Sequence, residues 1–283
     1  MRICEVAPES EYSELARIVS EVAPRNPVAI EELSFTDMMY LGAVLRAGGG
    51  TGFFFITPYD SWSCPLTYCH EVDMEILRYL HSQNVLTVST SSDVRSIKSV
   101  NTEKEDFSYY MNLVVYDINV DPGENKYFND VITQMLDPSF SKAPTSEVLK
   151  LWQDIVYTEC IQLFDFRMKN FHLPYTVGKE IKAFFNSIIP DFSLATIYTF
   201  IFQATKTAAA YYQEGNVSKW QAANSALSRM RTIAERVRNG TYNRWEYDRP
   251  KECPQFVLSD YFFNSVLRLR DRYWRRTPHN PLS

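Results

Sequence analysis

Cys64, Cys69 and His70 place two thiols and an imidazole within seven residues, the donor chemistry that zinc prefers. A structural zinc site needs four ligands, usually in two close pairs, and neither His81 nor Cys253 stands in a second pair. Buried thiols beside a helix start are expected instead, with no metal. Gly48, Gly49, Gly50, Thr51 and Gly52 offer successive backbone N–H groups of the kind that wrap a phosphate. Phosphate loops follow a strand, open a helix and end in Gly-Lys-Ser/Thr; this cluster follows a helical pattern, opens a strand and has no lysine, so a flexible connector is expected. Asp117, Asp121, Glu124 and Lys126 have the order seen in metal-dependent nucleases, but Glu124 and Lys126 sit on a Pro-Gly turn that reads as solvated. Glu159, Asp165 and His172 could serve a helical-bundle metal site, yet no Glu-x-x-His pair is present. His70, His81, His172 and His279 are widely separated, and no Gly-x-Ser-x-Gly elbow occurs. No catalytic residue, cofactor or metal ligand is therefore assigned, and the reading leans away from an enzyme.

The last third of the chain is different. Residues 217–283 hold eleven arginines and two lysines, with aromatic residues interleaved. Arginine makes bidentate contacts to carboxylate or phosphate and stacks on aromatic planes, so Arg244, Arg268, Arg270, Arg272 and Trp274 are the candidate nucleic-acid or anion-binding residues. Arginines near helix C-termini also stabilise the helix with no ligand at all, which accounts for part of the pattern.

This basic end is opposed by an acidic one. Residues 1–150 carry 11 Lys/Arg against 22 Asp/Glu, a net of −11, while residues 217–283 carry 13 against 6, a net of +7. The whole chain sums to −5 over 283 residues. Such polarity suits a partner of opposite charge at either end, or attraction between the two ends. Five scattered cysteines fit reduced thiols, and the N-terminal Met-Arg-Ile-Cys-Glu-Val has no apolar run of the signal-peptide kind, so a cytoplasmic chain with no membrane partner is expected.

The elements that must position these residues are read from periodicity. Helices are expected over about 10–22, from Ser34 or Thr36 to Gly48, and between Thr67 and Ser82. Strands are expected at Phe53–Ile56, Val85–Ser89 and Tyr109–Ile118, with a polar loop from Ser91 to Glu105. That order of elements is the order of a winged-helix domain, with no family motif behind it. From about Ser146, long helical periodicity predicts helices at 146–170, 177–188, 193–212, 218–239 and 259–276, with alanine-rich faces that let two of them pair as an antiparallel hairpin. The fold class is thus mainly α (α+β): a small acidic winged-helix-like domain over 1–120, a linker at 121–145, and a helical-bundle domain over 146–283.

The helix before the wing carries Glu71, Asp73 and Glu75 with Arg78 as its strong cation, a start that phosphates would repel. These three acids are the candidate protein-binding residues. The leading expectation is a non-catalytic protein-interaction or regulatory protein, an inhibitor or immunity-type binder of a basic partner. Nucleic-acid binding through the C-terminal arginines is the alternative, and an enzyme with a site assembled from dispersed residues is a further one. The oligomeric state is open.

Overall fold

The computed structural model describes residues 26–101, 106–124, 127–136, 144–243 and 246–278. The helix expected at 10–22 lies outside them, as do Arg244, Lys126 and His279. The described chain is mainly helical with small sheets. It divides into two compact units: Met1–Leu66 with His70–Ser141, and Thr67–Cys69 with Lys142–Ser283.

In the first unit, helix α1 (Phe35–Gly48) is started by a capping box in which the Ser34 hydroxyl accepts from the Asp37 N–H at 3.1 Å and the Asp37 carboxylate accepts from the Ser34 N–H at 2.8 Å. Aspartate here does the work usually given to glutamate or glutamine. Helix α2 runs His70–Ser82. Its Ile76, Leu77 and Leu80 are buried, as are Met39, Leu41, Val44 and Leu45 of α1, on which α2 packs. Strands β2 (Phe55–Ile56), β6 (Tyr116–Ile118) and β3 (Leu86–Val88) form one antiparallel sheet in that spatial order, with Asp117 opposite both Phe55 and Thr87. A separate pair, β1 (Val28–Ala29) with β7 (Val120–Asp121), is parallel.

Three local expectations are corrected here. The polar stretch from Ser91 is not simply a loop, because it holds strand β4 (Ile97–Asn101), which pairs antiparallel with β5 (Asp106–Tyr109). The single strand expected at Tyr109–Ile118 is broken by a turn in which the Leu113 N–H bonds the Tyr110 carbonyl, so β5 pairs with β4 while β6 joins the other sheet. Phe53 lies in a 3-10 turn (Thr51–Phe53) with φ +58°, leaving only Phe55 and Ile56 as strand. Helix α3 (Phe128–Leu136) follows β7; its Ile132 and Met135 are buried and its last carbonyl accepts from Arg46 at 2.7 Å.

The glycine cluster is closely packed rather than flexible. A Cβ on Gly48 would lie 2.1 Å from the Trp62 indole nitrogen, and one on Gly50 would lie 2.3 Å from the Phe55 ring. The Trp62 N–H is itself bonded to the Thr57 carbonyl at 2.9 Å, and Thr57 returns its own N–H and hydroxyl to the Gly48 carbonyl. The indole has nowhere to go.

The second unit is built on helix α4 (Thr145–Asn170), whose Trp152, Ile155, Val156, Cys160, Leu163, Phe164 and Met168 are buried around most of its circumference. A helix apolar on so many sides must be enclosed. Helices α5 (Lys179–Ile188) and α6 (Leu194–Gln213) pack on it, and α7 (Lys219–Arg238) packs on α6 and α5. Among the described residues no helix is long and apolar enough to cross a membrane.

The helix expected at 259–276 is not continuous. After α8 (Val257–Asp260) the chain widens into a π-helical turn at Tyr261–Val266, then breaks, and a 3-10 segment follows at Arg270–Arg275. Arg268 and Arg270 take the left-handed conformation, with φ +52° and +51°, on either side of buried Leu269. This backbone costs an L-residue roughly 1–2 kcal/mol per position and persists only where packing imposes it. Packing does so here: Tyr273 stacks on Phe263 at 4.2 Å with the rings 11° apart, and Phe263 in turn meets Trp152.

Two stability changes follow. Gly48→Ala should lower the free energy of unfolding by about 1–3 kcal/mol, the usual effect of overpacking, read from denaturant titration. Arg268→Gly should raise it by roughly 1 kcal/mol, because glycine accepts the left-handed backbone without a Cβ clash.

Candidate functional site

Helices α6 and α7 owe their lengths to their ends. The Ser193 hydroxyl accepts from the Thr196 N–H to start α6, and Ser218 with Gln221 forms a capping box that starts α7. Gly215 (φ +80°) lets the chain reverse after α6, and Gly240 (φ +69°) lets it leave α7. Between them, Ala204 and Ala208 of α6 and Ala222 and Ala226 of α7 are fully buried, so the two backbones approach closely.

Close approach along the alanine seam leaves a groove on one flank. Gln203 and Thr207 of α6 face Ser225, Ser228, Arg229, Thr232, Ile233 and Arg236 of α7, with Tyr242 at one end, and the space between measures about 520 Å³. The α7 members recur every three or four residues, which puts them on one helical face. The Arg229 guanidinium lies 5.7 Å from the Tyr211 ring centroid, one turn beyond Thr207 on α6. The Tyr242 hydroxyl donates to Gln203 at 3.4 Å.

Which arginines are available is decided by their neighbours. Arg231 pairs with Glu180 at 3.2 Å, Arg238 with Asp191 at 2.5 Å, and Arg275 with Asp248 at 2.6 Å. Arg249 is wholly internal in purpose. It donates to Glu159 at 2.9 Å, to Gln162 and the Pro254 carbonyl at 3.2 Å, and to the Cys253 carbonyl and the Tyr273 hydroxyl. Ser259 also donates to Glu159, which is 2% exposed. Trp274 is buried with its indole N–H on the Tyr247 carbonyl at 2.8 Å, so it anchors the C-terminal segment. Among the described residues, Arg229 and Arg236 in the groove, and exposed Arg268 and Arg270, have no carboxylate partner. Arg272 is exposed and bonds the Leu269 carbonyl at 3.4 Å.

The remaining sequence candidates are distributed elsewhere. Glu71 and Glu75 are exposed on α2 in the first unit. Asp73 is fully buried and accepts from the Tyr59 hydroxyl at 2.8 Å and the Leu66 N–H at 3.0 Å, tying a loop to the helix. His70 packs on the Tyr59 ring, Cys64, Cys69, Cys160 and Cys253 are in no disulfide, and no group of three metal-ligating side chains occurs among the described residues. Burial pushes the Cys253 thiol up to about 11, even though Arg249 pulls the other way, so it stays protonated at neutral pH. Asp117 and Asp121 sit on β6 and β7, and the Asp121 carboxylate accepts from the Gly123 N–H at 2.9 Å.

A second polar cluster lies on α4, within the same unit. Asp165, 7% exposed, accepts from the hydroxyls of Tyr68 and Tyr175 and pairs with Lys169 at 2.7 Å. Burial raises its carboxyl, but the bonds from Lys169, Tyr175 and Tyr68 outweigh burial and hold it below the ordinary value of 3.8. Burial together with Asp165 pushes both tyrosines well above theirs.

The groove was missed in the sequence because its members are split between two helices. The signal that existed was the serine, threonine and arginine stripe at 225, 228, 229, 232 and 236. Its i, i+3, i+4, i+7 spacing marks a polar face.

Replacing Arg249 by Met should cost about 3–5 kcal/mol by leaving the Glu159 charge buried without its counter-ion, a loss visible in thermal unfolding. Asp165 contributes stability that is present above 3.8 and lost as pH falls through its lower folded value; Tyr68 and Tyr175 contribute stability that is present below 10 and lost as pH rises toward their higher folded values. Melting temperature against pH should therefore fall less steeply on the acid side in Asp165→Asn, and less steeply on the alkaline side in Tyr175→Phe. The chain matches no family model, no curated protein and no solved structure, so function is argued from this geometry alone.

Proposed function

We propose that this chain is a non-catalytic binding protein that recognises an anionic ligand through the α6–α7 groove of its helical unit. The observation that carries the reading is the selective pairing of the α7 arginines: Arg231 and Arg238 point to acids, whereas Arg229 and Arg236 line an open space with no carboxylate partner among the described residues. Two uncompensated guanidinium groups on one side of a groove attract and hold a bidentate oxyanion. The described lining also supplies no carboxylate, thiol or imidazole, so the side chains most used for proton transfer are not part of it. This supports binding over turnover. The exposed Arg268, Arg270 and Arg272 are a second basic stretch, which supports the wider expectation of an anion or nucleic-acid partner for the C-terminal third.

The first unit supports a second surface. Glu71 and Glu75 stand one turn apart on the exposed side of α2, where two like charges repel by a few tenths of a kcal/mol unless a cationic partner covers them. That arrangement favours a basic protein partner, in the manner of an inhibitor or immunity-type binder. The order α1, β2, α2, β3, β6, with β4 and β5 projecting between the last two, supports the winged-helix-like description of this unit.

Charge reversal separates the two basic stretches. The double variant Arg229→Glu with Arg236→Glu should abolish retention of the chain on immobilised phosphate groups at low ionic strength, while Arg268→Glu with Arg270→Glu should leave most of it. Equal retention by wild type and the groove variant would remove the groove from the reading.

A further inference from the structure

Three aliphatic hydroxyl groups of the groove have already chosen their hydrogen-bond roles. Ser225 donates to the Ala222 carbonyl at 2.7 Å, Thr207 to the Gln203 carbonyl at 2.9 Å, and Thr232 to the Ser228 carbonyl at 3.1 Å. A hydroxyl has one proton to give and two lone pairs to offer, so each of these oxygens faces the groove as an acceptor only, Ser225 with one lone pair already taken by the Arg229 Nε–H at 3.5 Å. Gln203 is fixed in the opposite sense. Its side-chain oxygen accepts from Tyr242, which turns its NH₂ group outward as a donor. Arg229 and Arg236 add charged donors, spaced seven residues apart and so about 10 Å along the helix axis.

The lining therefore presents cationic donors at two points and a row of neutral acceptors between and beside them. Phosphate satisfies the first requirement but not the whole of the second, because the ion at neutral pH keeps at most one or two O–H donors on a single small centre and cannot span the row. A sugar carries the complementary groups: several free hydroxyls that donate, and a C–H face that lies against apolar surface, here Ile233 and the Tyr242 ring. A volume of about 520 Å³ suits a ligand of that size and falls in the ordinary range of small-molecule sites.

We propose that the α6–α7 groove binds a sugar phosphate, with Arg236 on the phosphate and the oxygens of Thr207, Ser225 and Thr232 accepting from the sugar hydroxyls. The proposal rests on the anion-binding reading of the groove and adds the chemistry of the rest of the ligand. Thr232 is the informative position, since Thr232→Val removes an acceptor oxygen while keeping shape, and its bond to the helix carbonyl is dispensable on an exposed turn.

The test is titration calorimetry on the full chain with four probes: glucose 6-phosphate, glucose, inorganic phosphate and a single-stranded thymidine oligonucleotide. Glucose 6-phosphate should bind at least about tenfold more tightly than inorganic phosphate or glucose, and Arg236→Gln should weaken it by roughly tenfold or more, the loss expected for a charge-assisted bond. Thr232→Val should weaken glucose 6-phosphate several-fold and leave inorganic phosphate unchanged, with an unaltered circular dichroism spectrum. Phosphate and glucose 6-phosphate binding equally would overturn the sugar assignment and keep the anion site. Tightest binding by the oligonucleotide would overturn it in favour of a nucleic-acid strand, and no binding by any probe would overturn the anion reading as well.

Discussion

The second unit depends on the charge pair between Glu159 and Arg249. Glu159 projects from the middle of α4, a helix with a largely apolar surround, and a lone carboxylate there would carry a desolvation cost of several kcal/mol. Arg249 meets it and spends its other N–H groups on Gln162, Tyr273 and the carbonyls of Cys253 and Pro254. One guanidinium thereby closes an irregular segment onto a regular helix. Tyr273 is held from two sides, by this network and by the Phe263 ring, and the widened π turn and the two left-handed arginines are what the backbone must do to bring it there.

The first unit solves a similar problem with different groups. Asp73 fastens the loop before α2, and the glycine run lets Trp62, Phe53 and Phe55 pack directly on backbone. Both solutions put a polar or conformationally special residue where the chain has little regular structure. Neither leaves that residue free for a ligand.

Much of the architecture was legible in the sequence. The ends of α1, α4, α6 and α7 follow serine caps, glycine exits and apolar periodicity closely enough to be read to within a residue or two. The C-terminal helix was misread because Tyr261 to Trp274 keeps an apolar rhythm that a straight helix would also show; the break is imposed by tertiary contacts of Tyr273 and Trp274, which no local pattern records. The roles of the charged residues were less legible still. Arg231 and Arg229 are two positions apart and chemically identical, yet one meets Glu180 and the other faces an open groove, a difference set by where α5 lies. Asp73 reads as one acid of an exposed trio until the turn of α2 carries it inside.

The hydroxyls along the groove bond to carbonyls of their own helices, so the wall they form is decoupled from the rest of the protein. Exchanging serine, threonine, asparagine or glutamine among those positions disturbs no tertiary contact of the hydroxyl and little helix propensity. The side chains of this wall can therefore be exchanged while Glu159 and Arg249 stay locked to each other.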